Sequence, residues 1–413
     1  MLSVSDAEAI ILNLVQPLDQ ERDIEIIDLL AADRRIIATP VTSKLDFPHW
    51  DNSAMDGYAV RYEDVQHSSE AQPTILEIIE EIPAGSLPQS TVQPGQAARI
   101  FTGAVMPRGA DTVVMQERTR RKENRVYILA APQPQEFVRY KAAFYQAGKQ
   151  LLPRGIKLNP PEIAVLAAAQ CAKLSVYRRP RVAIFSSGDE LVTPDQILQP
   201  GQIVDSNQYA LAALVREAGA EPLLLGIIKD DPDVLRGAIA YARDHADIVL
   251  SSGGVSVGDY DYIEQILESL GAKIHIHSVA ISPGKPLTVA TFPTPHSPIY
   301  FGLPGNPVSA LVTFWRFVQP AIRKLSGLAG GWEPEFLKVR SHDQLKSNGK
   351  RETYIWGSLY LIDGVYEFHK AGGSHSSANL INLAQTNALA ILPVGQTVIC
   401  PQAEVQVLHL ALG

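Results

Sequence analysis

RVAIFSS (181–187) opens the part of the chain that decides the fold. It is an apolar run of strand length, the pattern of a strand buried on both faces. The same kind of run recurs behind helical spacers. A helix is expected from about Asn207 to Glu217 with a stop at Gly219, then PLLLGII (222–228), then a helix over 232–244. DIVLSS (247–252), a helix over 260–270 followed by Gly271, and PIYFG (298–302) continue the rhythm. NPVSALVTFWRFVQPAIRKL (306–325) reads as a closing helix, with Asn306 as cap and Pro307 at the first helical position. Strands alternating with helices predict an open, mostly parallel sheet covered on both faces.

Outward from this block the rhythm changes. Up to about residue 45 the chain reads as an amphipathic helix and an extended segment. From 46 to 145 short β-like runs (Thr74–Ile79, Ala98–Phe101, Thr112–Gln116, Arg125–Leu129) are separated by turns at Pro83–Gly85, Pro94–Gly95 and Pro107–Gly109. LNPPEIAVLAAAQCA (158–172) places Pro160–Pro161 at a helix start. After Gly327 the runs Phe336–Arg340, Glu352–Trp356, Leu389–Leu392 and Glu404–Leu408 are β-like again. The expected class is multidomain α/β plus all-β.

Of 413 residues, 36 are Lys or Arg and 44 are Asp or Glu, a net charge of −8. That balance argues against a broad nucleic-acid surface, which needs a basic face. Two cysteines, Cys171 and Cys400, predict no disulfide framework and a reducing compartment. No targeting signal and no membrane-length apolar stretch is legible, so a cytoplasmic protein is expected.

In an open parallel sheet, ligands bind at the carboxyl ends of the strands. Four strand-to-helix loops meet there: SSGDE (186–190), KDD (229–231), SSGGVSVGDYD (251–261) and LPGNPVS (303–309). The last two are rich in Gly, Ser and Pro and run into helices, which offers backbone N–H groups to a phosphate or another anion. The same loops carry Asp189, Glu190, Asp230, Asp231, Asp259 and Asp261. Carboxylates beside an anion call for a hard divalent cation between them. Asp189 and Asp259 are expected as helix caps, and Glu190, Asp230 and Asp261 as functional acids. Lys285, in SPGKP, sits on a rigid loop that can aim an ammonium at a charged ligand. No Ser/His/Asp arrangement and no zinc spacing is legible. The residues alone point to a Mg-assisted enzyme or binder for a phosphorylated small molecule.

NSAMDGYAV (52–60), RIFTGAVMPRGADTVVMQE (99–117), FSSGDEL (185–191), IVDSN (203–207), GIIKDDP (226–232), SSGGVSVGDYD, PGKP (283–286) and GLPGNPVSA (302–310) occur in this order. Together they resemble the MoeA/gephyrin family of molybdopterin molybdenumtransferases over essentially the whole chain. The resemblance implies a helical linker region (1–45 and 146–178) and a β-rich inserted domain (46–145). It also implies a Mog-like α/β molybdopterin-binding domain (179–327) and a β-barrel-like C-terminal domain (328–413). It implies a homodimer, with the NSAMDGYA loop of one subunit reaching toward the α/β site of the other. The implied activity is insertion of molybdate into adenylylated molybdopterin, with AMP released and Mg required. A molybdopterin adenylyltransferase and molybdoenzymes are the implied protein partners.

By the same resemblance, Asp230 and Asp261 match acids that hold Mg and activate water, with Glu190 and Asp56 in supporting roles. Thr102, Arg139, Ser187, Gly188, Gly253, Gly254, Ser256, Pro304, Gly305, Asn306 and Pro307 match the substrate-binding positions. Lys285, Ser309, Arg351 and Ser374 match the molybdate pocket, with Ser376 and Ser377 as alternatives to Ser374. RYKAAFY (139–145) departs from the family: Ala142, Ala143 and Phe144 replace a Gly-Glu-Asp triplet. Ser278 and Ser282 stand where lysines are usual, and Trp356 where an arginine is. These losses motivate an alternative, a catalytically weakened relative that carries the pterin or scaffolds its assembly.

Overall fold

The computed structural model describes residues 1–253, 260–294 and 298–410, with the backbone alone for 260–262. Its contacts divide the chain into two compact units. One holds Met1–Thr39, Arg154–Pro160 and Lys173–Gly413, and the other Pro40–Pro153 and Pro161–Ala172.

The larger unit contains the anticipated sheet. Its strands are β1 (Arg181–Ser187), β2 (Glu221–Ile228), β3 (Ile248–Ser252), β4 (Lys273–Ser278), β5 (Pro286–Thr291) and β6 (Ile299–Leu303), in the order β2-β1-β3-β6-β5-β4. β1 pairs in parallel with β2 and β3, and β3 with β6. β5 and β4 extend the sheet antiparallel. This edge hairpin is not legible in the sequence, because β4 alternates polar and apolar residues and β5 is a short run wedged between two Pro-containing loops.

Both faces of the sheet are covered, as period-two burial requires. Val182 and Ile184 of β1 pack with α1 (Asn207–Glu217) and α4 (Pro307–Thr313) through Leu211, Val215, Val308 and Val312. Ala183 and Phe185 face the other way. They pack with α2 (Pro232–His245) and α3 (Tyr260–Ser269) through Leu235, Ile239, Ile263 and Leu267.

The closing helix is not continuous. After α4 the backbone widens into a π-turn at Phe314–Val318 and resumes as Gln319–Leu325. Pro320 has no N–H to donate and its ring crowds the carbonyl four residues back, which is where such a bulge relieves the clash. The π-turn holds Arg316, which is buried. Its Nη1 and Nη2 donate to Glu8 of the helix Val4–Leu14 at 2.5 and 2.9 Å, and its Nε to the Tyr354 hydroxyl at 3.0 Å.

The C-terminal strands are β7 (Phe336–Ser341), β8 (Glu352–Ile362), β9 (Val365–Lys370), β10 (Ala388–Leu392) and β11 (Glu404–His409). They close as β8-β9-β7-β11-β10-β8, a barrel filled by residues such as Val339, Ile355, Phe368, Ala390 and Val407. The two-residue strand Ile281–Ser282 adds to β8 in parallel, pairing with Glu352 and Thr353. This seam brings the loop before β5 against the barrel.

The smaller unit has a six-stranded sheet in the order Thr112–Met115, Gly57–Val60, Gln96–Ile100, Thr74–Ile82, Arg125–Ile128, Thr119–Lys122. Its core lies on both sides of Gly57–Val60: Tyr58 and Val60 pack with Leu76 and Val126, and Ala59 with Ile82 and Val113.

Candidate functional site

At the carboxyl end of the sheet the main chain itself forms a crevice. A Cβ on Gly253 would lie 2.2 Å from the Ser187 carbonyl oxygen, so only glycine lets the end of β3 approach the end of β1 this closely. Gly253 is also at φ +95°, outside the range of other residues. Gly305, after β6, packs beside it at ordinary van der Waals distance, its Cβ position 3.4 Å from the Gly253 Cα. Asn207, the first residue of α1, ties these loops together. Its Nδ2 donates to Ser252 Oγ at 2.6 Å and to the Gly305 carbonyl at 2.8 Å. Asp205 is buried and accepts from Ser186 Oγ and from the N–H of Gln208. Two buried polar atoms here have no partner, Ser187 Oγ and Asn207 Oδ1. Buried polar groups are normally satisfied, so both await a partner that the described residues do not supply. Asn207 was quoted within IVDSN but given no role, because its two bonds run to segments 45 and 98 residues away.

Acids border the crevice. The Glu190 carboxylate lies over Gly188, within 2.7 Å of where a Cβ would be. Asp230 is exposed, and its N–H donates to Asp189 Oδ1 at 3.4 Å. Asp189 caps no helix, contrary to expectation: a short strand, Leu191–Val192, follows it. Asp231 is the cap, its side chain accepting from the N–H groups of Asp233 and Val234 at the start of α2. Gly254, Ser256, Asp259 and the side chain of Asp261 lie outside the described residues.

A second recess, of about 970 Å³, opens between the edge hairpin, the start of α4 and the barrel. Lys285, Ser309 and Arg351 line it together with Ser376 and Ser377. Ser309 is buried on the first turn of α4, and Arg351 Nη1 donates to the Ile281 carbonyl at 3.0 Å. Ser374 is not in the wall: it is exposed, and its carbonyl accepts from Asn379 and Asn382. Asn306 occupies the cap position of α4, yet its side chain makes no cap bond and lines this recess instead.

Lys346, Lys370 and His375 complete the wall and were not anticipated. No motif marks them, since each stands alone on a separate barrel segment. Among the described residues, Lys285, Lys346, Arg351 and Lys370 bring four permanent cations to a recess whose one acidic side chain is Asp343. Ser282 also lines it, so Lys346 and Lys370 supply charge where a family lysine is replaced.

Trp356 has taken the place of a family arginine and is fully buried. Its ring packs on His375 with centroids 4.4 Å apart, and Nε1 donates to Asn382 Oδ1 at 3.0 Å. Asn382 in turn donates to the carbonyls of Gly372 and Ser374, so this tryptophan holds the loop that presents the serines. Burial pushes the His375 pKa below its ordinary value, despite a bond from the ring to the Ala371 carbonyl, and Nδ1 has no partner.

Asp56, Thr102 and Arg139 belong to the smaller unit. Asp56 Oδ1 accepts from both the N–H and the hydroxyl of Thr102 at 2.8 Å, bonds that hold its pKa below the usual carboxylate range. Arg139 is exposed and pairs with Asn52 on a two-residue ladder. Phe144 is 74% exposed. Ala142 has φ +63°, a conformation that suits the glycine usual at that point and costs alanine about 1 kcal/mol.

Fold and site thus define a multidomain protein with a doubly wound α/β domain, a C-terminal barrel and a cation-lined recess in the same unit. Three family models match it in succession. They are the MoeA N-terminal region (domain I and II) over residues 2–169, the probable molybdopterin binding domain over 183–324, and the MoeA C-terminal region (domain IV) over 338–410. A molybdopterin molybdenumtransferase of a Nostoc species is 71% identical over 412 residues, 100% of this chain and 94% of that one. The Haemophilus influenzae molybdopterin molybdenumtransferase is 35% identical over 379 residues, 91% of each. The crystal structure of a molybdopterin biosynthesis MoeA protein from Pyrococcus horikoshii superposes with a TM-score of 0.84 at 28% identity, over 99% of this chain and 100% of that one. The chain belongs to the MoeA family.

Proposed function

We propose that this protein is a molybdopterin molybdenumtransferase acting in the last step of molybdenum cofactor biosynthesis. It inserts molybdate into adenylylated molybdopterin and releases AMP. The observation that carries this reading is the recess that gathers Lys285, Ser309 and Arg351 with two further lysines. Molybdate is a tetrahedral dianion, and hydroxyls with a few cations are the groups that hold one.

The loop after β6 links the two parts of the site. Gly305 packs in the crevice, while Asn306 and Ser309 face the recess. The crevice suits the phosphate side of the pterin: Ser187 Oγ and the N–H groups beside Gly188, Gly253 and Gly305 bind and orient it, and close glycine packing leaves little room for water. Pro304 and Pro307 fix the path of the linking loop. Gly254 and Ser256 are assigned to the same phosphate contact.

Asp189, Glu190 and Asp230 bring carboxylate oxygens, the ligand type Mg prefers, to the rim of the crevice, though among the described residues these three do not converge on one point. Asp230 and Asp261 would hold it, and when bound it would neutralise pyrophosphate charge. The same two aspartates are assigned the activation of water for the anhydride, and Glu190 a supporting polar contact. Asp56, Thr102 and Arg139 are assigned to the site of the other subunit in a homodimer.

A cytoplasmic location is proposed; among the described residues no helix is long and apolar enough to cross a membrane. The boundaries 1–45 with 146–178, 46–145, 179–327 and 328–413 are proposed as the domain limits, and an adenylyltransferase and molybdoenzymes as partners. The four-cation recess gives no support to the weakened-carrier alternative.

The test is direct. Purified protein given adenylylated molybdopterin, molybdate and Mg should release AMP and reconstitute a cofactor-free molybdoenzyme. Asp230→Ala should bind the pterin and release no AMP. Absence of AMP release from both proteins, with reconstitution failing equally, would end the enzyme reading.

A further inference from the structure

The barrel carries a second polar constellation that the proposed reaction does not use. β7 and β9 pair in parallel, Arg340 with Glu367 and Ser341 with Phe368. Just past this ladder the His342 N–H donates to the Phe368 carbonyl at 2.8 Å, which fixes His342 beside β9. Residues 367 and 369 share one face of that strand, because side chains alternate along it. Three ligand-type atoms therefore converge: His342 Nδ1 is 3.8 Å from Glu367 Oε2, His369 Nε2 is 3.7 Å from the same oxygen, and all three lie within 4.8 Å of one another.

Two further observations set this cluster apart from an ordinary surface ion pair. His369 Nε2 is buried and has no hydrogen-bond partner, and the Glu367 side chain is 16% exposed. The two imidazoles also stack face to face, with centroids 4.1 Å apart and planes 9° from parallel, while Tyr360 closes on the edge of His369. A nearly dry nitrogen aimed at a carboxylate it does not bond is a polar group waiting for a third party.

We propose that His342, Glu367 and His369 form a binding site for zinc or another divalent first-row transition ion. Two imidazole nitrogens and one carboxylate oxygen are a zinc donor set, leaving the fourth position to water. As they stand, the stacked parallel rings do not aim both lone pairs at one point, so one ring must rotate for the three atoms to reach the roughly 2.0–2.2 Å of zinc–nitrogen and zinc–oxygen bonds. His342 is half exposed and turns its ring to bring the lone pair onto the ion. Magnesium is excluded, since it prefers oxygen ligands in an octahedron. The ion pins the exit of β7 to β9, the parallel seam that closes the barrel. Asp343 and Lys370, next in sequence to the two histidines, line the recess, so the clip lies directly behind that wall.

The full-length protein, stripped of metal, is titrated with zinc by calorimetry with and without excess magnesium, alongside His342→Ala and the double variant that combines His342→Ala with His369→Ala. The wild type should bind one zinc more than the double variant, and His342→Ala alone should bind it at least ~10-fold more weakly. Zinc bound elsewhere, for example at the exposed Cys400, is common to all the proteins and cancels in the difference. His342→Ala removes an exposed ring, so its melting curve without zinc should match the wild type. Its curve with zinc should lack the upward shift the wild type shows. Equal stoichiometry and affinity in wild type and double variant would overturn the site, as would competition by magnesium. Neither result bears on molybdate insertion, which is read through AMP.

Discussion

The crevice at the strand ends and the recess beside the barrel lie in one unit and are built on opposite plans. The crevice is main chain: Gly253 and Gly305 let three strand ends approach, and Asn207 bonds them together. The recess is side chain: Lys285, Lys346, Arg351 and Lys370 reach in from separate segments around it. A backbone-built surface resists drift, because a Cβ on Gly253 meets the Ser187 carbonyl. A charge-built surface can, since a field sums over its sources and a cation from one strand replaces one from another. Ser282 shares the wall with Lys346 and Lys370, so the recess is cationic without a lysine at 282.

The contrast is breakable, most severely at Gly253. Gly253→Ala should lower stability by about 2–4 kcal/mol, from a forbidden backbone angle and a 2.2 Å clash, and remove pterin binding. Chemical denaturation and pterin binding read both; a variant that melts and binds like the parent would show that the crevice is not backbone-limited.

In the recess the effects should be graded. Arg351→Ala and Lys285→Ala should each raise the molybdate needed for half-maximal turnover by roughly 10-fold, the worth of about 1–3 kcal/mol per charge-assisted bond. Pterin affinity should hardly change, and parallel titrations of the two substrates would expose any leakage between the regions.

Trp356→Phe keeps a ring against His375 and deletes the bond to Asn382, so about 1 kcal/mol of stability should go. Molybdate affinity should fall with it as the serine loop loosens; unchanged affinity would detach the tryptophan from the loop.

The smallest effect is on pH. Burial holds His375 below its ordinary 6.5, so the unfolded chain takes up a proton before the folded protein does. The contribution is whole above the unfolded value and is lost as pH falls through the folded one. His375→Gln should flatten the decline in stability on the acid side of 6.5, as followed by urea unfolding on either side of that value.

Much of this was legible from residue order. The strands at 181, 248 and 299 announce themselves as apolar runs, and Asn207–Glu217 carries a helix pattern ended by Gly219. Lys285 and Arg351 were placed in one pocket by likeness to the family. The edge hairpin at Lys273–Ser278 and Pro286–Thr291 was missed, as was the π-turn before Pro320. Lys346, Lys370 and His375 left no trace, because lone polar residues on strand ends and loops look alike whether they face solvent or a cavity.

The chain by itself determined which segments are buried strands, where helices stop and where a glycine is obligatory, since these follow from local sterics and hydrophobic period. The tertiary structure alone decided which distant cations share a recess, and that Ser376 and Ser377, not Ser374, line it with them. It also decided that His342 meets His369. Those facts depend on how the barrel closes and where Ile281–Ser282 docks on β8, and a sum of charges over space has no counterpart in spacing along a sequence.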